Sequence, residues 1–205
     1  MDEAEKRKLD AIPAGLGDFE SLEDGYLRKV KACADRFGIL MEPGLGCICP
    51  LSRRWNGKRQ GTPAKYLLEV IRVTKAPGAP SAKVFLGYGG DRGGPQPIPA
   101  MMEAAVKALK SVRAQAVDAG VKIALENHGH LRAAEARTII EEAGKDFVGA
   151  CLDSGNPVRV LEDPLAALGE GSVDLVKFVA RRRELRLNAP FPPEIITGGR
   201  PSVAP

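Results

Sequence analysis

Two acid-bearing stretches carry the chemistry for which this sequence is equipped. Val121-Lys122-Ile123-Ala124-Leu125 is a largely apolar run that stops at Glu126-Asn127-His128-Gly129. Further along, Phe147-Val148-Gly149-Ala150-Cys151-Leu152 stops at Asp153-Ser154-Gly155-Asn156-Pro157. Each run has the length of a buried strand, and a helix-like segment joins them, which describes a βαβ unit. Adjacent parallel strands lie about 4.8 Å apart, so Glu126 and Asp153 can reach one divalent cation.

The elements that must hold these residues repeat along the chain. Leu27, Val30, Ala34 and Phe37 recur at helical steps, with Gly38 as the stop before Ile39-Leu40-Met41-Glu42, a strand. Thr62-Pro63 reads as an N-cap and first turn, and Leu67, Val70, Ile71 and Thr74 form the buried face of that helix. Ala82-Lys83-Val84-Phe85-Leu86 is a short strand, followed by the glycine-rich loop Gly87–Gly94. One long helix is expected over residues 97–119, with Met102, Ala105, Val106, Leu109, Val112 and Ala116 on one stripe and Gly120 as its stop. A further helix over 132–144 ends at Gly144, and a helical segment is expected from Pro157 to Leu168. Strand and helix thus alternate at least four times, which implies a parallel sheet, either doubly wound or closed into a barrel. In both, functional residues gather in the loops after the strands, where this chain places its unusual residues.

The ends are less regular. Residues 1–24 are poorly defined, because Pro13 and two glycines close the strand-like Lys8–Pro13 quickly. Past Leu168, Val173–Val179 reads as one more strand. Arg181-Arg182-Arg183 and a proline-rich tail follow, and residues 181–205 are expected to be poorly ordered.

Composition bounds the rest. A chain of 205 residues is most simply one domain. No apolar run approaches the ~20 residues of a membrane span, and the charged first residues lack a secretory apolar region, so a soluble cytoplasmic protein is expected. The net charge of +4 is mild and fits anionic small molecules as well as nucleic acid. Cys33, Cys47, Cys49 and Cys151 lack zinc-ribbon spacing and are expected to be buried reduced thiols.

The motifs Gly44-Leu45-Gly46 with Pro50, Val84-Phe85-Leu86-Gly87, Leu125-Glu126-Asn127-His128-Gly129, Cys151-Leu152-Asp153-Ser154-Gly155-Asn156-Pro157 and Leu161-Glu162-Asp163-Pro164-Leu165 resemble the xylose isomerase-like barrel superfamily, in its sugar phosphate isomerase/epimerase branch. The resemblance covers roughly residues 20–168 and implies an α/β fold, a parallel (β/α) barrel. The barrel is expected to be incomplete, with about five to six βα units over residues 25–180 and the first strand missing. It also implies one divalent metal (Mn²⁺, Mg²⁺ or Co²⁺), with Glu126 and Asp153 among its ligands. The family's two remaining ligands, a His and a Glu on the last strands, have no recognisable counterpart here.

The implied reaction is isomerisation or epimerisation of a sugar or sugar phosphate, by proton transfer through an enediolate whose charge a divalent cation stabilises. Glu126 is then ligand and base, and His128 a catalytic or orienting group. Asn156 is assigned to a substrate hydroxyl, Asn127 to substrate binding, and Arg92 to the counter-charge of a phosphate at the glycine-rich loop, which otherwise reads as a flexible connector. Trp55, with the basic loop around it, is assigned to an anionic sugar or to stacking on a base. The basic loop around Trp55 (Arg53, Arg54, Lys58 and Arg59) suits an anionic sugar, or is simply solvated. Two other readings compete. A metal-dependent abasic-site endonuclease calls for more histidines than the two present and a broad basic face. A non-catalytic barrel fragment would have open strand edges prone to self-association. The isomerase or epimerase reading is preferred, with weak or no turnover expected of this chain alone.

Overall fold

The computed structural model describes residues 11–153 and 155–162. Five strands form one parallel sheet in chain order: β1 (Ala11–Gly15), β2 (Leu40–Cys47), β3 (Ser81–Phe85), β4 (Lys122–Glu126) and β5 (Val148–Cys151). Six α-helices accompany them among the described residues: α1 (Asp24–Arg36), the short α2 (Gly57–Gln60), α3 (Pro63–Lys75), α4 (Ile98–Lys110), α5 (Arg113–Ala119) and α6 (Ala133–Ala143). Strand order decides between the two parallel architectures left open by the sequence. A doubly wound sheet reverses its order at a switch point, whereas barrel strands follow one another as these do.

Three expectations are corrected. The first strand is present: β1 pairs in register with β2, Pro13 opposite Glu42. Within the described sheet β1 is bonded on one side only, so the missing N–H of Pro13 is tolerated there. The long helix of residues 97–119 is two helices. Ser111 turns its hydroxyl back onto the Ala108 carbonyl (2.7 Å), Val112 leaves helical geometry (φ −117°, ψ 10°), and its side chain drops into the core. The segment after Asp153 forms a 3₁₀ turn, Asn156–Val160, as far as it is described. The Val173–Val179 strand, the arginine cluster and the proline-rich tail lie outside the described residues.

The helices cover one face of the sheet. Ala82 and Val84 of β3 and Ile123 and Leu125 of β4 are fully buried against Leu67 and Val70 of α3, Leu109 of α4 and Ile139 of α6. Burying each such large aliphatic chain contributes about 1.5–3 kcal/mol, so this face dominates the stability. The start of α3 follows the sequence reading: Thr62 Oγ1 accepts the Lys65 N–H at 3.2 Å, and Pro63 opens the first turn. Of the four free cysteines only Cys47 and Cys49 are buried; Cys33 and Cys151 are half-buried. No described helix is long and apolar enough to cross a membrane.

Candidate functional site

Side chains alternate faces along a strand, so the residues that skip the helix side must meet on the other. Lys83 stands opposite Gly44 of β2 and Ala124 of β4, and Glu126 stands opposite Cys151 of β5. Stepping by two from these partners places Glu42, Lys83 and Glu126 on one face, away from the helices. Asp153, two residues beyond Cys151, joins them. The sheet therefore carries an apolar side and a side with an acid–base row.

The row is tightly packed. Glu126 is 1% exposed, and its Oε2 lies 3.6 Å from Lys83 Nζ. Asn156 Nδ2 donates to Asp153 Oδ2 (2.7 Å) and approaches Glu126 Oε1 (3.4 Å). One amide NH₂ thus touches both carboxylates, which converge on a single point. Burial raises the proton affinity of Glu126, Lys83 opposes that rise, and the Asp153 charge adds to it. Burial likewise raises Glu42, with Lys83 again opposing. Lys83 is thus the cation shared by two carboxylates on the strands either side of it.

Asn127 fixes this geometry from outside. Its Oδ1 accepts the Asp153 N–H (2.7 Å) and its Nδ2 donates to the Asp153 carbonyl (3.0 Å). The side chain imitates a strand partner and continues the β4–β5 pairing past the end of β5. Asp153 Oδ1 in turn accepts the N–H groups of Gly155 (2.7 Å) and Asn156 (3.2 Å).

His128 stands apart from the acids. It stacks on Phe85 with ring centroids 4.5 Å apart, and its Nδ1 donates to the Gly87 carbonyl at 2.7 Å. It lines an open cavity of about 1460 Å³ at the carboxyl ends of β1 to β3, together with Phe85, Tyr88, Tyr66 and Gln60. Trp55 meets Tyr66 edge-on at 6.3 Å. Arg92 is engaged elsewhere: its guanidinium pairs with Glu135 of α6, and Nε donates to the His130 carbonyl (2.7 Å). Of the residues proposed from sequence, Glu126, Asp153, Asn127 and Asn156 come together. His128 lines the cavity at the β1–β3 ends, which those four residues do not line, and Arg92 and Trp55 do not join the acids.

Sequence reasoning passed over Lys83 and Glu42. Each is a charged residue inside an otherwise apolar strand, which signals a side chain aimed at the interior of a barrel rather than at the helices.

The donor chemistry suits a hard divalent cation, since two carboxylates converge and only oxygen is offered. Among the described residues no third acid, histidine or cysteine joins them. The described part of the chain therefore brings together two carboxylates, one at the end of β4 and one just past β5.

In-order parallel strands, helices on one face and acids at the carboxyl edge define the wall of a (β/α) barrel with its site at the top. The chain belongs to the xylose isomerase-like TIM barrel family, whose model matches residues 2–187. Among solved structures it is similar to D-psicose 3-epimerase crystallised in the presence of D-fructose, with a TM-score of 0.74 and 16% identity over 96% of this chain and 79% of that one. An L-ribulose 3-epimerase gives a TM-score of 0.66 and 21% identity over 90% and 71%. The IOLI protein with a bound zinc atom gives 0.56 and 22% over 75% and 56%. The chain thus spans between about half and four-fifths of these barrels. No match is found among curated protein sequences.

Proposed function

We propose that this chain is a sugar isomerase or epimerase that moves a proton beside a carbonyl group through an enediolate. The observation that carries the reading is the convergence of Glu126 and Asp153 on one amide, with Lys83 against the first of them. The fold likeness to two sugar 3-epimerases supports the substrate class.

Glu126 takes the proton. It is buried, so water does not compete for it, and Lys83 keeps a positive charge beside it. Asp153 is the fixed partner: its backbone is held by Asn127 and its carboxylate by the turn at Gly155–Asn156. A side chain so constrained serves positioning rather than proton shuttling. The two carboxylates are the groups that would hold a divalent metal, Mn²⁺, Mg²⁺ or Co²⁺, in keeping with the zinc of one structural relative. Bound there, such an ion supplies Lewis-acid stabilisation of negative charge on the sugar oxygens. Asn156 is the residue placed to meet a sugar hydroxyl, since its amide already lies between the two acids. His128, stacked on Phe85, walls the adjoining cavity and orients what enters it.

The test is deuterium exchange from D₂O into ketoses, followed by NMR, with each metal added in turn. Exchange is expected at a carbon next to the carbonyl and should fall by about 10³-fold or more in Glu126→Gln. Exchange that persists in that variant would show that another group removes the proton and would sink the reading.

A further inference from the structure

The cavity beside His128 carries an excess of positive charge that the proposed proton transfer does not use. Arg54, Arg59 and Lys65 line it, and none has a carboxylate within ion-pair distance among the described residues, whereas the other lining arginine, Arg72, is tied to Glu69 and Asp24. Of the two lining acids, Glu69 is therefore neutralised. Asp18 is the one left, with Oδ2 accepting the Gly15 N–H at 2.7 Å.

Two features aim the arginines at the cavity. Arg54 lies over the face of Tyr88, 4.3 Å from the ring centroid, and that ring stands 5.8 Å from His128. The stack of Arg54, Tyr88, His128 and Phe85 runs from the rim toward the β3 end without interruption. Arg59 reaches across to the β1 end: a Cβ on Gly17 would sit 2.5 Å from its guanidinium, so the glycine leaves the space that the side chain occupies. The two guanidiniums therefore border the cavity on different elements, one from the loop after β2 and one from α2. Guanidinium forks with no carboxylate partner among the described residues, facing a concave, partly aromatic space, fit an anion held at one end of a longer molecule.

We infer that the cavity is an anion subsite, and that the substrate is a sugar bearing a phosphate ester or carboxylate at the end remote from the reacting carbons. The inference rests on the sugar isomerase or epimerase reading for the word sugar, and on the arginines alone for the anion. It separates this chain from the neutral-sugar 3-epimerases that its fold resembles. The arginines select by charge, the aromatic stack covers the sugar chain, and the acids at β4 and β5 act on the far end.

The experiment is isothermal titration of the full chain with inorganic phosphate, a neutral ketohexose, its 6-phosphate and the matching sugar acid. The phosphate ester or the acid is expected to bind at least about tenfold more tightly than the neutral sugar, and the stronger of the two identifies the anion. Arg54→Ala and Arg59→Ala should each remove most of that advantage and flatten the salt dependence. Both arginines are exposed, so the variants should fold; circular dichroism checks this. Equal binding of charged and neutral sugars, or a charge advantage that survives the double variant, would overturn the subsite. Arginine-dependent binding of inorganic phosphate without Glu126-dependent exchange would leave the subsite standing and remove the isomerase reading. Exchange on neutral sugars with no charge preference would do the reverse.

Discussion

Two carboxylates in this molecule are almost equally buried and are handled in opposite ways. Asp91, 4% exposed, sits in the glycine-rich loop, and Glu126, 1% exposed, ends β4. Burial pushes both upward. Around Asp91 this is more than offset by the Ser52 hydroxyl (2.7 Å), the N–H groups of Arg53 (3.1 Å) and Tyr88 (2.8 Å) and the nearby His130, so its carboxyl falls below its ordinary value. Around Glu126 there is one ammonium at 3.6 Å, a distant amide and a second acid, and its carboxyl stays above. An acid satisfied by three donors is a structural pin. An acid left short of donors in a dry place retains affinity for a proton or a cation, which a reaction can use.

Exchanging the charges should expose that division most sharply. Glu126→Gln is expected to cost three or more orders of magnitude in deuterium exchange, whereas Asp91→Asn should leave kcat within about threefold and act on folding. Comparable loss of turnover in both, measured on folded protein, would break the comparison. Lys83 gives the next effect. Lys83→Met removes the ammonium beside Glu126 and is expected to lower kcat by about 10–100-fold with little change in KM, because the lost charge acts at the reacting end. A rise in KM with kcat unchanged would instead make Lys83 a substrate-binding group.

The sequence shows the acid proposed to react more clearly than the structural one. An apolar strand that halts at Glu126-Asn127-His128 is a local signal, and its echo at Asp153 gives the partner. Lys83 and Glu42 were equally visible as charges inside apolar runs. Their meaning depends on which face of the sheet becomes the interior, and that is fixed only by the register of strands far apart in sequence. Asp91 was hidden by its setting, because five glycines over residues 87–94 suggest a loose connector. Gly87 in fact clears space: a Cβ there would meet Asp91 Oδ2 at 2.6 Å and His130 Nε2 at 3.1 Å. Arg92 was assigned to an anion by its type, and its actual partner, Glu135, lies 43 residues away on α6. The parallel sheet was legible from alternation, which left a doubly wound sheet and a barrel both open until the family motifs were read. The β1 strand was obscured by a proline that its edge position among the described strands accommodates.

The structural member should respond in stability. Asp91→Ala strips three donors of their acceptor, two of them backbone N–H groups that cannot turn to water. A destabilisation of about 2–4 kcal/mol is expected in urea unfolding at neutral pH. Asp91→Asn keeps an acceptor oxygen for part of the set and should lose less. If Asp91→Ala were neutral, the loop would not be held from within, and the contrast with Glu126 would rest on burial alone.

The smallest effect concerns acid, and its sign follows from the direction of the Asp91 shift. In the unfolded chain Asp91 titrates near 3.8, and in the folded protein it titrates lower. Below 3.8 the unfolded state therefore binds the proton first, and folding is increasingly opposed. The stabilisation from Asp91 is fully present above 3.8 and is lost as pH falls through the folded value. Native protein and Asp91→Asn should differ by a constant amount of stability from neutral pH down to about 5, and the gap should narrow below 3.8 as the native carboxylate is protonated. Urea midpoints taken at closely spaced acidic pH values would show this as a steeper acid limb for the native chain. Parallel limbs would mean that the Ser52, Arg53 and Tyr88 donors hold the protonated carboxyl as well as the ionised one, and the pin would then be a matter of shape rather than charge.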